Sequence, residues 1–336
     1  MRFPLDFVMN NAKHMVGQRA KGRKRYPTVL MLEPLYTCNL ACIGCSTERH
    51  TGKLKDRISV DKCIEAAEVA EAPTVSLCGG EPTLYPELPE LVERLIAMGK
   101  HIILCTNALL LDKKLFDVIP PSKQLFINVH LDGMKTTHDF VCDREGVFET
   151  AVRMVKESKE RGYLTLTNTT VYKQTDMDEV EALCEMLSRM HVDGILISPG
   201  YHYESVENDV FMTQEQIHEK FKRVKDMLHR YRLTATPTFL DFAAGLIELR
   251  CSPWSTVNYT PKGWKGPCYL IGEKFYEDFH TFWNEVNWDY WESRQDRRCA
   301  NCKMHSGFEY SAVEAAAKSI KGMAQMAYWH FSAPKV

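Results

Sequence analysis

Three cysteines lie close together in the segment CNLACIGC, where Cys38, Cys42 and Cys45 have the spacing C-x3-C-x2-C. Thiolate is the ligand that iron–sulfur clusters require, and three thiolates on one short loop can bind three irons of a 4Fe-4S cluster and leave the fourth iron open. A structural zinc site is the alternative, since His50 could supply a fourth ligand. The spacing therefore predicts a metal centre in this loop.

A second group of cysteines lies towards the carboxyl end. Cys251, Gly263 and Cys268 have the spacing C-x11-G-x4-C, and Cys299 and Cys302 follow as C-x2-C. Four thiolates can saturate one cluster or one tetrahedral zinc, and the spacing does not separate the two. A cysteine-rich zinc-binding interaction module is therefore one hypothesis beside that of an enzyme.

The composition is that of an ordinary globular chain. Of 336 residues, 45% are hydrophobic and 26% are charged, which argues against a disordered or fibrous protein. The net charge of -2 gives no overall field that would attract nucleic acid. Twelve cysteines in a chain without a secretory signal favour metal ligation over disulfides, so we expect a cytoplasmic protein.

Short β-branched apolar runs alternate with amphipathic stretches from about residue 28 to residue 200, a pattern typical of βα units around a parallel sheet. The predicted strands cover residues 29–36, 74–77, 102–105, 125–131, 164–171 and 194–198. The predicted helices cover residues 60–71, 88–98, 110–118, 147–161 and 177–190. These units predict an incomplete α/β barrel, whose functional residues lie at the carboxyl ends of the strands.

The pattern changes after a predicted helix over residues 214–230. Residues 237–307 are rich in Pro, Gly, Trp and Cys in irregular order, which predicts a small, loop-rich module. Residues 311–331 have an Ala/Met face that is typical of a terminal helix. We therefore divide the chain into a basic amphipathic segment (1–27), a barrel (28–235) and a carboxyl-terminal extension (236–336).

The first cysteine group, placed just after the first predicted strand, resembles the defining loop of the radical S-adenosylmethionine superfamily. The resemblance implies a partial (β/α)6 barrel in which Cys38, Cys42 and Cys45 bind a 4Fe-4S cluster. The open iron would bind the amino and carboxyl groups of S-adenosylmethionine. One electron, from a reductant such as flavodoxin or ferredoxin, would then release a 5′-deoxyadenosyl radical.

Further motifs follow the later strands. In CGGEP, glycines allow close approach of the backbone, and Glu81 offers an acceptor for an ammonium group. The resemblance implies that Gly79, Gly80 and Glu81 bind the methionyl amino group of the cofactor. It also implies cofactor contacts at four later positions. For one of them, Asn168, a satisfied polar residue of the barrel mouth is an equal alternative. These positions are Asn107 in CTNALLL, Asp132 in HLDG, Asn168 on the fifth strand and Ser198 in SPG.

The second cysteine group resembles the twitch and SPASM extensions of the same superfamily. The resemblance implies that Cys251, Cys268, Cys299 and Cys302 hold an auxiliary 4Fe-4S cluster. A two-cluster SPASM module is disfavoured because the sequence has no cysteine after Cys302.

Longer strings, among them GRKRYPTVLMLEPLYTCNLAC, CTNALLL, SPGYHYE and CANCKMHSGFE, resemble the adenosylhopane-forming family of hopanoid biosynthesis over roughly residues 22–310. The resemblance implies that the adenosyl radical adds to the alkene of diploptene, a polycyclic triterpene lipid, and that a thiol quenches the resulting carbon radical. Cys105 is the first candidate for this thiol and Cys78 the second; a buried structural thiol is the alternative for each. The segment STERHTGKLKDR (46–57) is more charged than this family leads us to expect. A second hypothesis is a twitch-type radical enzyme that abstracts hydrogen from a peptide or small metabolite.

Residues 1–25 combine seven basic residues with one acidic residue and interspersed apolar side chains. A basic amphipathic helix can lie in the headgroup plane of an anionic membrane, which would suit a membrane-resident substrate and a peripheral location at the inner face. The alternative is an arm packed on the barrel. The basic residues are Arg2, Lys13, Arg19, Lys21, Arg23, Lys24 and Arg25.

Overall fold

A computed structural model describes residues 1–334 and confirms the predicted α/β architecture with a partial parallel barrel. The parallel strands lie side by side in the order β6-β5-β4-β3-β2-β1. They are β1 (Val29–Leu32), β2 (Thr74–Leu77), β3 (His101–Thr106), β4 (Leu125–His130), β5 (Leu164–Val171) and β6 (Gly194–Pro199). Two of them, β2 and β5, have the predicted bounds. In contrast, β1 ends before Pro34, where the chain turns into the first cysteine loop.

Helices cover the outside of these strands and extend beyond them. In chain order they are α1 (Leu5–Ala20), α2 (Glu48–Thr51), α3 (Val60–Val69), α4 (Leu88–Ala97), α5 (Leu111–Lys114), α6 (Lys135–Val141), α7 (Val147–Glu160), α8 (Met177–Arg189), α9 (Gln214–Asp226), α10 (Pro237–Ala243), α11 (Phe279–Glu285), α12 (Trp288–Glu292), α13 (His305–Ala317) and α14 (Ile320–Phe331). Side chains cap several of these helices. Ser59 accepts from the backbone of Lys62 at the start of α3, and Thr213 and Gln216 form a capping box at the start of α9.

Alternation along the strands decides which side chains face the inside of the barrel. In β3, Ile102 and Leu104 are fully buried beneath the helices, whereas Ile103 and Cys105 are partly exposed on the opposite face. The pairing of β3 with β4 places Cys105 beside Asn128. The interior face therefore carries both apolar and polar side chains near the carboxyl ends of the strands.

The carboxyl-terminal part continues the sheet, so the prediction of a mainly irregular module was wrong in this respect. Strand β7 (Thr256–Thr260) pairs in parallel with β1, and β8 (Gly263–Pro267) and β9 (Gly272–Tyr276) follow in antiparallel pairing. Aromatic rings form much of its core. The ring centroid of Phe282 lies 5.9 Å from that of Trp264 and 5.6 Å from that of Trp288. Large aromatic side chains bury enough area to hold these short strands without an aliphatic pattern.

The predicted terminal helix over residues 311–331 is two helices. Ser319 separates α13 from α14, and its Oγ accepts from the backbone nitrogen of Gly322 at 2.9 Å. A serine that caps a new helix competes with continuation of the preceding one.

Helix α1 packs at the amino-terminal ends of the strands, at the opposite end of the barrel from the first cysteine loop. The ring of Phe7 lies edge-on to that of His101, at the start of β3, and to that of Phe126, near the start of β4. On another face of α1, Leu5, Met9 and Val16 are exposed. Of the two alternatives for the amino-terminal segment, an arm packed on the barrel describes α1, and these three apolar side chains form a stripe at its surface. Within residues 1–334, no helix has the length and apolar character needed to span a membrane.

Candidate active site

The loop between β1 and α2 brings the first three cysteines together, each of them half-buried. The backbone nitrogen of Cys45 donates to the carbonyl of Cys42 at 3.1 Å, and that of Leu40 donates to the sulfur of Cys38 at 3.4 Å. Burial raises the pKa of Cys38 to about 12 and that of Cys45 to about 11. Metal binding at these thiols therefore displaces protons. Three soft donors on one loop, close enough to affect one another's charge, fit an iron–sulfur cluster.

The two glycines after β2 allow the next loop to lie against the cysteine loop. A Cβ on Gly79 would lie 2.6 Å from the carbonyl oxygen of Leu35, and a Cβ on Gly80 would lie 2.0 Å from that of Thr37. Gly79 also has a φ of +106°, which disfavours any side chain. The backbone nitrogen of Gly80 donates to Leu35 at 2.9 Å. The two glycines thus allow the loop after β2 to lie close to the loop after β1, and a close approach to a ligand stays a prediction.

Glu81 is buried, and hydrogen bonds within the chain occupy both of its carboxylate oxygens. Oε1 accepts from the backbone nitrogen of Thr83 at 3.0 Å and from the hydroxyls of Thr83 and Thr106, both at 2.7 Å. Oε2 accepts from the backbone nitrogen of Asn107 at 2.9 Å. The side chain joins the ends of β2 and β3, and its contact with an ammonium group stays a prediction.

Asn107 links the end of β3 to the cysteine loop. Its Nδ2 donates to Oδ1 of Asn39 at 2.7 Å and lies 4.0 Å from the sulfur of Cys38. Its Oδ1 accepts from the backbone nitrogen of Leu109 at 3.1 Å. Asn107 therefore orients the first cysteine of the loop in the structure.

Cys105 and Cys78 differ in what surrounds their thiols. The sulfur of Cys105 lies 3.5 Å from Oγ of Ser76 and 3.6 Å from Nδ2 of Asn128, on the inner face of the barrel. The thiol of Cys78 is buried and donates to the carbonyl of Ser76 at 3.7 Å. Burial raises the pKa of both thiols, so both keep their S–H hydrogen at neutral pH. Cys105 is the more accessible of the two from the barrel interior.

Asp132 lies two residues after the end of β4, and its role as a direct cofactor contact stays a prediction. It is fully buried, and Oδ1 accepts from the backbone nitrogen of Thr170 at 2.6 Å. Oδ2 lies 2.8 Å from Nε2 of His130. The carboxylate thus contacts the backbone of the neighbouring strand β5 and the imidazole of His130.

His130 takes the exposed position beside it. Its side chain is 26% exposed, and although burial lowers the pKa of the imidazole, Asp132 raises it to about 9. His130 is therefore a cation at neutral pH at the carboxyl end of β4. Sequence reasoning gave His130 no role, although it alternates with Asn128 on the inner face of β4 and so could have been found.

Asn168 and Ser198 lie on the two neighbouring strands. Asn168 pairs with His130 across β4 and β5, and its buried Oδ1 has no hydrogen-bond partner among residues 1–334. The hydroxyl of Ser198 lies 3.1 Å from Nδ1 of His305, the first residue of α13. Asn168 therefore has an acceptor left for a ligand, whereas Ser198 is used to connect β6 with the carboxyl-terminal helices.

The four cysteines of the second group line one cavity in the carboxyl-terminal part. Gly307 lies against it, where a Cβ would be 3.0 Å from the sulfur of Cys251. Within the described part of the chain, no three or more Cys, His, Asp or Glu side chains converge closely enough for a single metal ion. Four thiols around one cavity fit the donor set of an iron–sulfur cluster.

Two family models match the chain. Residues 32–187 match the model described as the Radical SAM superfamily, and this interval contains the first cysteine group. Residues 195–326 match a domain of unknown function, DUF3463, which contains the second group. The two cysteine sites thus fall in two separately defined sequence families.

The curated relatives are distant. The chain is 24% identical over 186 residues to Fe-coproporphyrin III synthase of Methanosarcina barkeri, covering 53% of this chain and 46% of the relative. It is 26% identical over 166 residues to mycofactocin maturase MftC of Mycobacterium tuberculosis, covering 48% and 42%. The chain therefore spans less than half the length of these two relatives. It is 21% identical over 333 residues to the subtilosin biosynthesis protein AlbA of Bacillus subtilis, covering 89% and 71%.

Among solved structures, SuiB of Streptococcus suis has the same fold over most of the chain. The TM-score is 0.66 at 16% identity, and the match covers 94% of this chain and 79% of SuiB. SuiB bound to S-adenosylmethionine matches with a TM-score of 0.65 at 15% identity, and SuiB bound to its precursor peptide SuiA with 0.63 at 16% identity. At these identities the likeness concerns the fold alone.

Proposed function

We propose that this chain, whose residues 32–187 match the model of the Radical SAM superfamily, is an adenosyltransferase that joins the 5′-deoxyadenosyl group to an alkene carbon of a hopanoid such as diploptene. The family match supports the general part of this proposal, which is a radical S-adenosylmethionine enzyme that uses a 4Fe-4S cluster and S-adenosylmethionine. One observation supports the specific part, which is adenosyl transfer to an alkene. The thiol of Cys105 faces the barrel interior at a strand end, where a hydrogen-atom donor must stand.

Cys38, Cys42 and Cys45 would hold the first cluster, which, when bound and reduced, supplies the electron that cleaves S-adenosylmethionine. Glu81 and Asn107 keep the cysteine loop in place through their hydrogen bonds. The cation of His130 and the acceptor of Asn168 lie on adjacent strands, suited to a bound zwitterion that carries both charges. Cys251, Cys268, Cys299 and Cys302 would hold the auxiliary cluster.

The proposed role of Cys105 completes the bond-forming reaction. Addition of the adenosyl group to the alkene leaves an unpaired electron on the substrate carbon. Transfer of the hydrogen atom from the Cys105 thiol saturates that carbon and leaves a thiyl radical, which one electron from the reductant and one proton restore to S–H. A strand-borne thiol presents its hydrogen to one side of the substrate because the strand is rigid.

A second candidate is hydrogen abstraction from a peptide or small metabolite, and the relatives favour it over hopanoid adenosylation. AlbA and MftC are named for bacteriocin biosynthesis and mycofactocin maturation, and SuiB has been solved with a precursor peptide. In this case the adenosyl group leaves as 5′-deoxyadenosine, and Cys105 has no required role as a donor.

Product analysis separates the two candidates. The reconstituted protein is incubated without oxygen with S-adenosylmethionine, a one-electron reductant and diploptene, and products are identified by mass spectrometry. Adenosyl transfer predicts a product whose mass is the sum of diploptene, the adenosyl group and one hydrogen atom. If diploptene is unchanged and only 5′-deoxyadenosine accumulates, the adenosyltransferase proposal is wrong. A product dependent on an added peptide would then support the second candidate.

Two further proposals concern the surroundings of the enzyme. The chemistry requires a one-electron reductant, and we propose a protein such as flavodoxin or ferredoxin for this role. Peripheral contact with an anionic membrane through α1 is compatible with its exposed Leu5, Met9 and Val16. Because α1 lies at the amino-terminal ends of the strands, such contact would anchor the protein rather than open the barrel mouth to the bilayer.

A further inference from the structure

A buried ion pair lies beside the first cysteine loop. Nε of Arg49 donates to Oε1 of Glu33 at 2.9 Å, and their side chains are 6% and 0% exposed. Glu33 directly follows β1, and Arg49 lies in α2, four residues after Cys45. In the sequence, the two charged residues therefore flank the loop that carries the three cysteines, and in the fold they meet beside it.

Two tyrosine rings enclose the guanidinium group. The Arg49 guanidinium carbon is 4.7 Å from the ring centroid of Tyr269 and 5.3 Å from that of Tyr203, and Nη1 donates to the Tyr203 hydroxyl at 3.1 Å. Tyr269 follows Cys268 and lines the cavity of the second cysteine group. The pair thus lies between the two cysteine sites, with an aromatic ring on the side of the second.

A second buried contact fixes the same helix to the carboxyl-terminal part. Nζ of Lys265, on β8, lies 3.0 Å from Oε1 of Glu48, and the lysine side chain is 2% exposed. Burial raises the pKa of Glu48, but the neighbouring Lys265 acts in the opposite direction. The resulting pKa is lower than usual, so the carboxylate stays ionised. The position of Arg49 is therefore determined by both halves of the molecule.

A buried ion pair commonly adds little to stability, because two charges must be removed from water. Hydrophobic side chains of similar volume could pack here without that cost. The pair is also incompletely satisfied, since Oε2 of Glu33 and Nη2 of Arg49 find no hydrogen-bond partner anywhere in residues 1–334. Stability alone therefore gives a poor account of it. The backbone nitrogen of Arg49 donates to the carbonyl of Ser46, the residue after Cys45, at 3.0 Å, so the turn that carries the guanidinium group is joined directly to the third cysteine of the loop.

We propose that Arg49 and Glu33 are positioning residues whose opposite charges set the reduction potential of the cluster bound by Cys38, Cys42 and Cys45. This rests on the proposed first cluster. The potential of an iron–sulfur cluster depends on the charges and hydrogen bonds around its thiolates. A cation nearby favours the reduced cluster and an anion disfavours it, so the two residues act in opposite directions.

The test is a redox titration followed by electron paramagnetic resonance. The signal of the first cluster is recognised because S-adenosylmethionine, which binds only its open iron, changes that signal. Glu33→Gln should raise the midpoint potential and Arg49→Met should lower it, while Arg49→Lys should stay near wild type because it keeps the charge. Arg94→Met, which removes an exposed arginine on α4, is the control.

Opposite shifts in the two variants support the proposal, because a merely structural pair would change both potentials in the same direction or neither. Shifts of one sign, or no shift with Glu33→Gln, would overturn it. If Arg49→Met fails to fold, Glu33→Gln and Arg49→Lys still decide the outcome. Absence of any signal responsive to S-adenosylmethionine in the wild type would instead refute the proposed function.

Discussion

The sulfur of Cys105 and the hydroxyl oxygen of Ser76 lie 3.5 Å apart across neighbouring strands, so the thiol is held on the inner face of the barrel. Burial keeps this thiol protonated. A thiol that is oriented, protonated and accessible from the interior can give a hydrogen atom, which is the property that the first prediction tests.

Cys105→Ala should retain cluster binding and cleavage of S-adenosylmethionine but lose most of the saturated adenosyl product, because the carbon radical has no donor. Aborted or oxidised products should appear instead in the mass spectrum. Cys184→Ala, which removes a buried thiol from α8, is the matched control and should behave as wild type. Full adduct formation by Cys105→Ala would transfer the role to Cys78 or to an external reductant.

Gly80→Ala should disrupt the first cysteine site. Its Cβ would lie 2.0 Å from the carbonyl oxygen of Thr37, so one of the two loops must move, at a cost on the order of 1–3 kcal/mol. We expect lower iron content after reconstitution and a lower melting temperature. Gly17→Ala, with nothing within 4 Å of its Cβ, should be neutral or stabilising by up to about 1 kcal/mol. Normal iron content in Gly80→Ala would contradict this account of the loop contact.

Cys268→Ser should remove about half of the iron per chain, since it deletes one of four thiolate ligands to the auxiliary cluster. The spectroscopic signal that responds to S-adenosylmethionine should remain. Cys184→Ser is the control for the loss of a thiol elsewhere. Unchanged iron in Cys268→Ser would exclude Cys268 as a ligand.

Glu309→Gln should change how stability depends on pH. Burial raises the pKa of Glu309 to about 7, although its hydrogen bonds with Thr236 act in the opposite direction. The folded protein therefore binds this proton more tightly than the unfolded chain, and stability falls as pH rises from about 4.5 to about 7, by at most about 3 kcal/mol. The variant should match wild type near pH 5 and exceed it at pH 8 in melting temperature. His305, whose pKa burial lowers to about 4, stays neutral in this range. Equal differences at both pH values would show that Glu309 is ionised throughout.

Two variants of α1 separate its packed face from its exposed face. Phe7→Ala should destabilise the fold by about 3 kcal/mol, because the ring contacts Phe126 and His101. Replacing Leu5, Met9 and Val16 with serine should leave the melting temperature nearly unchanged but reduce sedimentation with anionic phospholipid vesicles. Unchanged vesicle binding in the triple variant would show that this stripe makes no membrane contact.

Much of the barrel could be predicted because its information is local. The strands β2 and β5 have the predicted bounds, since apolar runs and amphipathic helices alternate around them. The strands β7 to β9 were missed because β7 is stabilised by β1, far away in sequence, and by aromatic packing rather than by its own pattern.

The spacing of residues in the sequence indicates which of them lie near one another better than it indicates what each side chain contacts. The four cysteines of the second group do line one cavity, as their spacing indicates. Glu81 and Asp132 are polar residues of the expected loops, yet their carboxylates are used by neighbouring backbone groups. Arg49 was hidden in a charged segment that reads as solvent-exposed, because only the tertiary structure brings Glu33 and Tyr269 to it.

The pairing of β1 with two distant strands has a consequence for synthesis of the chain. Val29 aligns with Thr74 on one side and with Thr256 on the other. At about 5–20 residues per second, the second partner leaves the ribosome on the order of ten to forty seconds after the first. During that interval β1 is an open sheet edge, a recognised starting point for aggregation. Metal delivery to Cys38, Cys42 and Cys45 in this interval would precede the arrival of Tyr269, so co-translational loading and loading of the finished protein would meet different surroundings.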